Sequence, residues 1–84
     1  MANVTIIKEV SNGTEGAWKL CFQWCEYVYS EGDTDHGYRF IWRRPDGSLQ
    51  AARGQARIPS FADMQELISL AAREGWLITA ESDI

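Results

Sequence analysis

Tyr38-Arg39-Phe40-Ile41-Trp42-Arg43-Arg44-Pro45-Asp46-Gly47-Ser48-Leu49-Gln50 is the stretch on which the fold depends. Its first half alternates. Tyr38, Phe40 and Trp42 fall on one side of an extended chain, and Arg39, Ile41 and Arg43 fall on the other. Pro45-Asp46-Gly47 then bends it. Proline presets the second turn position, aspartate tolerates the third, and glycine can take the left-handed conformation that closes a three-residue hairpin loop. Such a loop sets Arg44 opposite Ser48, Trp42 opposite Gln50, Phe40 opposite Ala52 and Tyr38 opposite Gly54. On the reverse face it sets Arg43 beside Leu49, Ile41 beside Ala51 and Arg39 beside Arg53. Ser48–Ile58 is the expected return strand, weakened by Ala51, Ala52, Gly54 and Ala56, all poor strand formers.

Upstream, the pattern from Trp18 to Tyr29 also has a period of two. Trp18, Leu20, Phe22, Trp24 and Val28 share one face, with Glu26 the exception. Lys19, Cys21, Gln23, Cys25, Tyr27 and Tyr29 share the other. Val4-Thr5-Ile6-Ile7 predicts a short first strand, ended by Ser11-Asn12-Gly13. Glu31 to Gly37 reads as a polar loop between strands. Downstream, Pro59 cannot continue a ladder, and Ser60 is a good helix N-cap with Asp63 placed to shield the first-turn donors. Phe61, Met64, Leu67, Ile68 and Ala71 form an apolar stripe at helical spacing. Gly75 stands where a left-handed C-cap residue belongs, with Trp76 able to fold back on the last turn.

The expected fold is therefore α+β: an antiparallel four-stranded meander with a C-terminal helix over about 60–74 packed on one face, and a short fifth strand at 76–79. The large aromatics beside alanine and glycine make a trough in which the helix is expected to sit. Truncating Trp42 to alanine is expected to cost roughly 3–5 kcal/mol.

Composition sets the bounds. The chain has 84 residues, 45% of them hydrophobic, and a net charge of −4, which suits a single domain spanning 1–84 and argues against intrinsic disorder. No apolar run approaches the roughly 18 residues of a membrane helix. Met1–Val10 lacks the basic start and long apolar stretch of a signal peptide, so the expected location is cytoplasmic, away from any membrane. Cys21 and Cys25 on one straight strand stand about 13 Å apart, too far for a disulfide. They are expected as half-buried thiols in a reducing compartment. No metal or cofactor motif is present: His36 and its neighbouring acids match no zinc or calcium spacing, and no nucleophile motif accompanies that histidine. The chain is expected to be no enzyme.

The charge is uneven. Residues 38–58 hold five arginines against Asp46 alone, while both flanks are acidic. The face away from the helix is expected to carry Arg39, Arg43, Arg53 and Arg57 with Tyr27 and Tyr29. Three roles fit such a face: a solvated sheet surface, an interface with a protein partner or a second copy of the chain, and nucleic-acid binding with tyrosine stacking and arginine on phosphate. The acidic pI of about 4.8 weighs against the last. The expectation carried forward is a small interaction or accessory module that binds a protein partner, or forms a homodimer, through these six residues, with nucleic acid as the alternative.

Overall fold

A computed structural model describes residues 2–50 and 56–76 of the chain. It shows an α+β arrangement of three strands and one helix: β1 (Ala2–Ser11), β2 (Lys19–Tyr29), β3 (Thr34–Arg43) and α1 (Phe61–Arg73). The strands form an antiparallel sheet in the order β1-β2-β3. Among the described residues, no helix is long and apolar enough to cross a membrane.

The alternation in β2 sets the layering. Leu20, Phe22 and Trp24 face the helix side together with their β3 partners Trp42, Phe40 and Tyr38. The reverse side carries Cys21, Gln23, Cys25, Tyr27 and Tyr29 opposite Ile41, Arg39, Gly37, Asp35 and the β2–β3 turn. That turn is tight, with the Tyr29 N–H donating to the Asp33 carbonyl at 2.9 Å. Thr34 to Gly37, expected in a loop, thus belong to β3. Polar residues are no obstacle to a strand whose ladder bonds are backbone bonds and whose end rows face solvent.

β1 is longer than its β-branched centre suggests and contains a bulge. Its register on β2 shifts between Ile6 and Lys8, leaving Ile7 as the extra residue. Ile6 and Glu9, three apart, consequently point to the same side, as partners of Cys25 and Gln23.

The bend at Pro45-Asp46-Gly47 pairs as its sequence predicts. The Arg44 N–H donates to the Ser48 carbonyl at 2.7 Å, Arg43 bridges Leu49, and the Gln50 N–H donates to the Trp42 carbonyl at 2.9 Å. Gly47 has φ +92°, and the Ser48 N–H and Oγ both donate to Asp46, which holds that carboxyl below its usual pKa range.

The fourth strand is where expectation and structure part. After the single bridge at Leu49 no further ladder forms among the described residues, and 56–58 run without strand pairing. Residues 51–55, including the expected positions of Ala51, Ala52, Arg53 and Gly54, lie outside the described residues, as do residues 77–79 of the fifth strand.

The helix ends match the sequence signals. Ser60 caps α1 with φ −154°, its Oγ accepting from the Asp63 N–H at 3.3 Å and donating to Asp63 Oδ2 at 2.7 Å. At the other end Gly75 (φ +80°) donates to the Ala72 carbonyl and Trp76 to that of Ala71, a Schellman pattern that folds Trp76 onto the last turn. Asn12 Nδ2 donates to Asp63 at 2.9 Å and to Glu66 at 3.2 Å, fastening the β1–β2 loop to the first turns of α1.

Among the described strands the helix does not settle over β3. It lies over β1 and β2, without a close backbone approach to β3. Leu67 and Ala71 are buried against Leu20, Phe22 and Trp76, with Val10, Phe40, Trp42, Ile58 and Leu70 around them. Phe61 and Ile68, expected in the stripe, are exposed. Against the described strands only one ridge of the helix, Leu67 and Ala71, is buried. Phe22 stands at the centre of an aromatic group, with ring centroids 4.7 Å from Phe40, 5.4 Å from Tyr38 and 5.6 Å from Trp76.

Candidate interaction face

The sheet surface opposite α1 is built in rows across the three strands. One row is Arg39–Gln23–Glu9, the next Gly37–Cys25–Ile6, and the next Asp35–Tyr27–Val4. Tyr29 follows, opposite Ala2. Four of the six residues singled out from the sequence therefore lie on this face: Tyr27, Tyr29, Arg39 and Arg43. Arg53 lies outside the described residues. Arg57 is exposed in a segment without strand pairing, and its carbonyl accepts the Trp42 indole N–H at 2.8 Å on the helix side. It does not join the other arginines through a ladder.

The arginines on this face are already engaged. Gln23 is fully buried. Its Oε1 accepts from Arg39 Nε at 2.7 Å and its Nε2 donates to Glu9 Oε1 at 2.6 Å. Arg43 donates to the same Glu9 oxygen at 2.6 Å and to the Gly47 carbonyl. The chain Arg39–Gln23–Glu9–Arg43 forms a polar lid over the centre of the sheet, and the hydrogen bond to Glu9 holds the Arg43 charge more firmly. Glu9 and Gln23 do not stand out in the sequence. Their meeting depends on the bulge at Ile7, for which no local residue signal exists.

Under this lid Cys21 and Cys25 are fully buried rather than half-buried, and both are free thiols. Cys25 Sγ lies 3.7 Å from Gln23 Oε1. Burial pushes both thiols above their ordinary pKa. A raised native pKa means that the unfolded chain gives up these protons first as pH rises. The thiols' contribution is therefore full at neutral pH and is lost above roughly pH 8.5. Neither thiol should react with a thiol-specific reagent in the native protein at pH 8, and both should react on unfolding in urea. Rapid labelling of the folded chain would contradict the burial.

The other end of the face is apolar. Val4 and Ile6 are 39% and 37% exposed, beside half-buried Tyr27 and Tyr29. Burial, aided by the neighbouring Asp35, raises the Tyr29 phenol above its ordinary pKa. His36 belongs to the opposite surface, stacked on Trp24 at 5.6 Å with Nε2 3.9 Å from Glu26 Oε2. Among the described residues, no three histidine, cysteine or acidic side chains cluster as a metal site would require.

Compared with known proteins, the chain matches no family model, no curated protein sequence and no solved structure.

Proposed function

We propose that the chain is a non-catalytic interaction module that pairs with a second copy of itself through the sheet face opposite α1. The observation that carries this reading is the arrangement around Gly37. Arg39 and Asp35 flank it at equal spacing on β3, in a row whose other members are the small Cys25 and the partly exposed Ile6. A two-fold axis over that row would set each Arg39 above the Asp35 of the other copy. The same axis would set Ile6 against Ile6 of the other copy, Tyr27 over Gln23 and Val4 over Glu9. Such an interface repeats one patch on both chains, as a two-fold dimer requires, with tyrosine and arginine in the roles they commonly hold at interfaces.

Two further facts support the choice. The thiols, the strongest nucleophiles in the chain, are buried and held neutral, which favours binding over covalent chemistry. Arg43 is neutralised by Glu9 and the chain carries net charge −4, which weakens the nucleic-acid alternative.

Sedimentation of the purified chain should show a concentration-dependent dimer at micromolar to high micromolar levels. Arg39→Glu should weaken association about tenfold, and the swap Arg39→Glu with Asp35→Arg should restore it. A strictly monomeric profile would end the self-pairing. Oligonucleotide binding whose affinity falls steeply with salt would replace it with the nucleic-acid reading.

A further inference from the structure

At the far end of the sheet, away from the Gly37 row, the β1–β2 loop and the Pro45 turn enclose a cleft of about 260 Å³. Its walls bring together Lys19, Arg43 and Arg44, with Glu15 at the rim and the turn glycines Gly16 and Gly47 on either side. Lys19 and Arg43 are direct cross-strand partners. Like charges so placed repel and cost stability unless an anion lies between them.

The present partners of these cations are unequal. Arg43 has Glu9 and the Gly47 carbonyl. Arg44 has only neutral acceptors, the Leu49 carbonyl at 2.8 Å and Ser48 Oγ at 3.3 Å, and pairs with none of the described carboxylates. Lys19 is paired with Glu15, whose side chain is otherwise 93% exposed and free to swing into solvent. Asp46, on the same turn and favoured in its charged form by Arg44, is a further carboxylate nearby. With Glu15 in place, three cations are balanced by Glu9, Glu15 and Asp46, and with Glu15 displaced one positive charge is left in excess.

We propose that this cleft binds the phosphoryl group of a small molecule, with Glu15 as the internal anion that the ligand displaces. The positive excess left when Glu15 moves away suits the negative phosphoryl group of a phosphate ester or of free phosphate. Guanidinium groups present paired donors to phosphate oxygens, and lysine adds a point charge. The volume suits a phosphoryl group with a small body attached and lies just below the range of sites for larger ligands, roughly 300 Å³ and above. Gly16 and Gly47 both border open space, and their positive φ values (+80° and +92°) shape the two turns that wall the cleft.

The test titrates inorganic phosphate, phenyl phosphate and acetate into the full chain at fixed low ionic strength, following backbone amide resonances. Saturable shifts confined to the 14–19 and 43–48 segments are expected with either phosphate compound, and the tighter of the two identifies the source of the phosphoryl group. Glu15→Gln should tighten phosphate binding about fivefold by removing the competing charge. Lys19→Met with Arg44→Met should weaken it at least about fivefold, the amide dispersion reporting an intact fold. Shifts that grow linearly without saturation, acetate binding as well as phosphate, or no response to Glu15→Gln would each overturn the proposal.

Discussion

Phe22→Ala should remove about 3–5 kcal/mol of stability and leave much of the chain unfolded at room temperature. For 84 residues the whole folding free energy is roughly 4–13 kcal/mol, so one such loss is a large part of it. Phe22 is 6% exposed and touches the rings of Tyr38, Phe40 and Trp76, joining β2, β3 and the end of α1. Its truncation leaves a void bordered by rigid aromatic plates that cannot close over it. Trp42, the residue that the sequence marks for this role, is half-buried and anchored by its indole N–H, so its loss should be the smaller. Urea titration by tryptophan fluorescence measures both. A loss below about 1 kcal/mol for Phe22→Ala, the size of an ordinary surface substitution or little more, would mean that the core lies elsewhere.

Glu9→Leu should cost about 2–3 kcal/mol, a large effect for a residue on an edge strand. The carboxylate is the common acceptor for buried Gln23 and for Arg43, and leucine leaves both donors facing an apolar side chain. The double substitution Glu9→Leu with Gln23→Leu should cost clearly less than the sum of the two single changes. It removes donor and acceptor together, whereas each single change leaves the other unpaired. Strict additivity by denaturant titration would show that the two side chains act independently and that no shared lid exists.

Much of the frame was legible in the residues because local rules and burial agree there. The period of two in β2 placed Leu20 and Phe22 on one side and Cys21 and Gln23 on the other, as the cross-strand register shows. The Pro45 bend and both ends of α1 were legible because each depends on one or two residues with a narrow conformational role. What escaped the reading depends on partners distant in the chain. An inserted residue at Ile7 looks like any β-branched residue, yet it decides that Glu9 meets Gln23. Of the expected return strand, the turn and the bridge at Leu49 form, and residues 51–55 lie outside the described residues. Among the described strands α1 rests on β1 and β2, and Phe61 and Ile68 of the expected apolar stripe are exposed. Of the six residues proposed for the interaction face, the pattern placed Tyr27, Tyr29, Arg39 and Arg43 on one surface. It could not show that two of the arginines are already occupied.

Ile7 has a consequence for how the molecule tolerates change. It is the residue of β1 whose removal would leave Ile6 opposite Cys25 and Lys8 opposite Trp24, straightening the strand without exchanging its inner and outer residues. Among the described strands β1 is an edge, and a straightened edge offers its outward amides and carbonyls as an uninterrupted row, the form that recruits further strands into fibres. The surplus isoleucine breaks that row at the β1 margin of the described sheet, as bulges on edge strands commonly do.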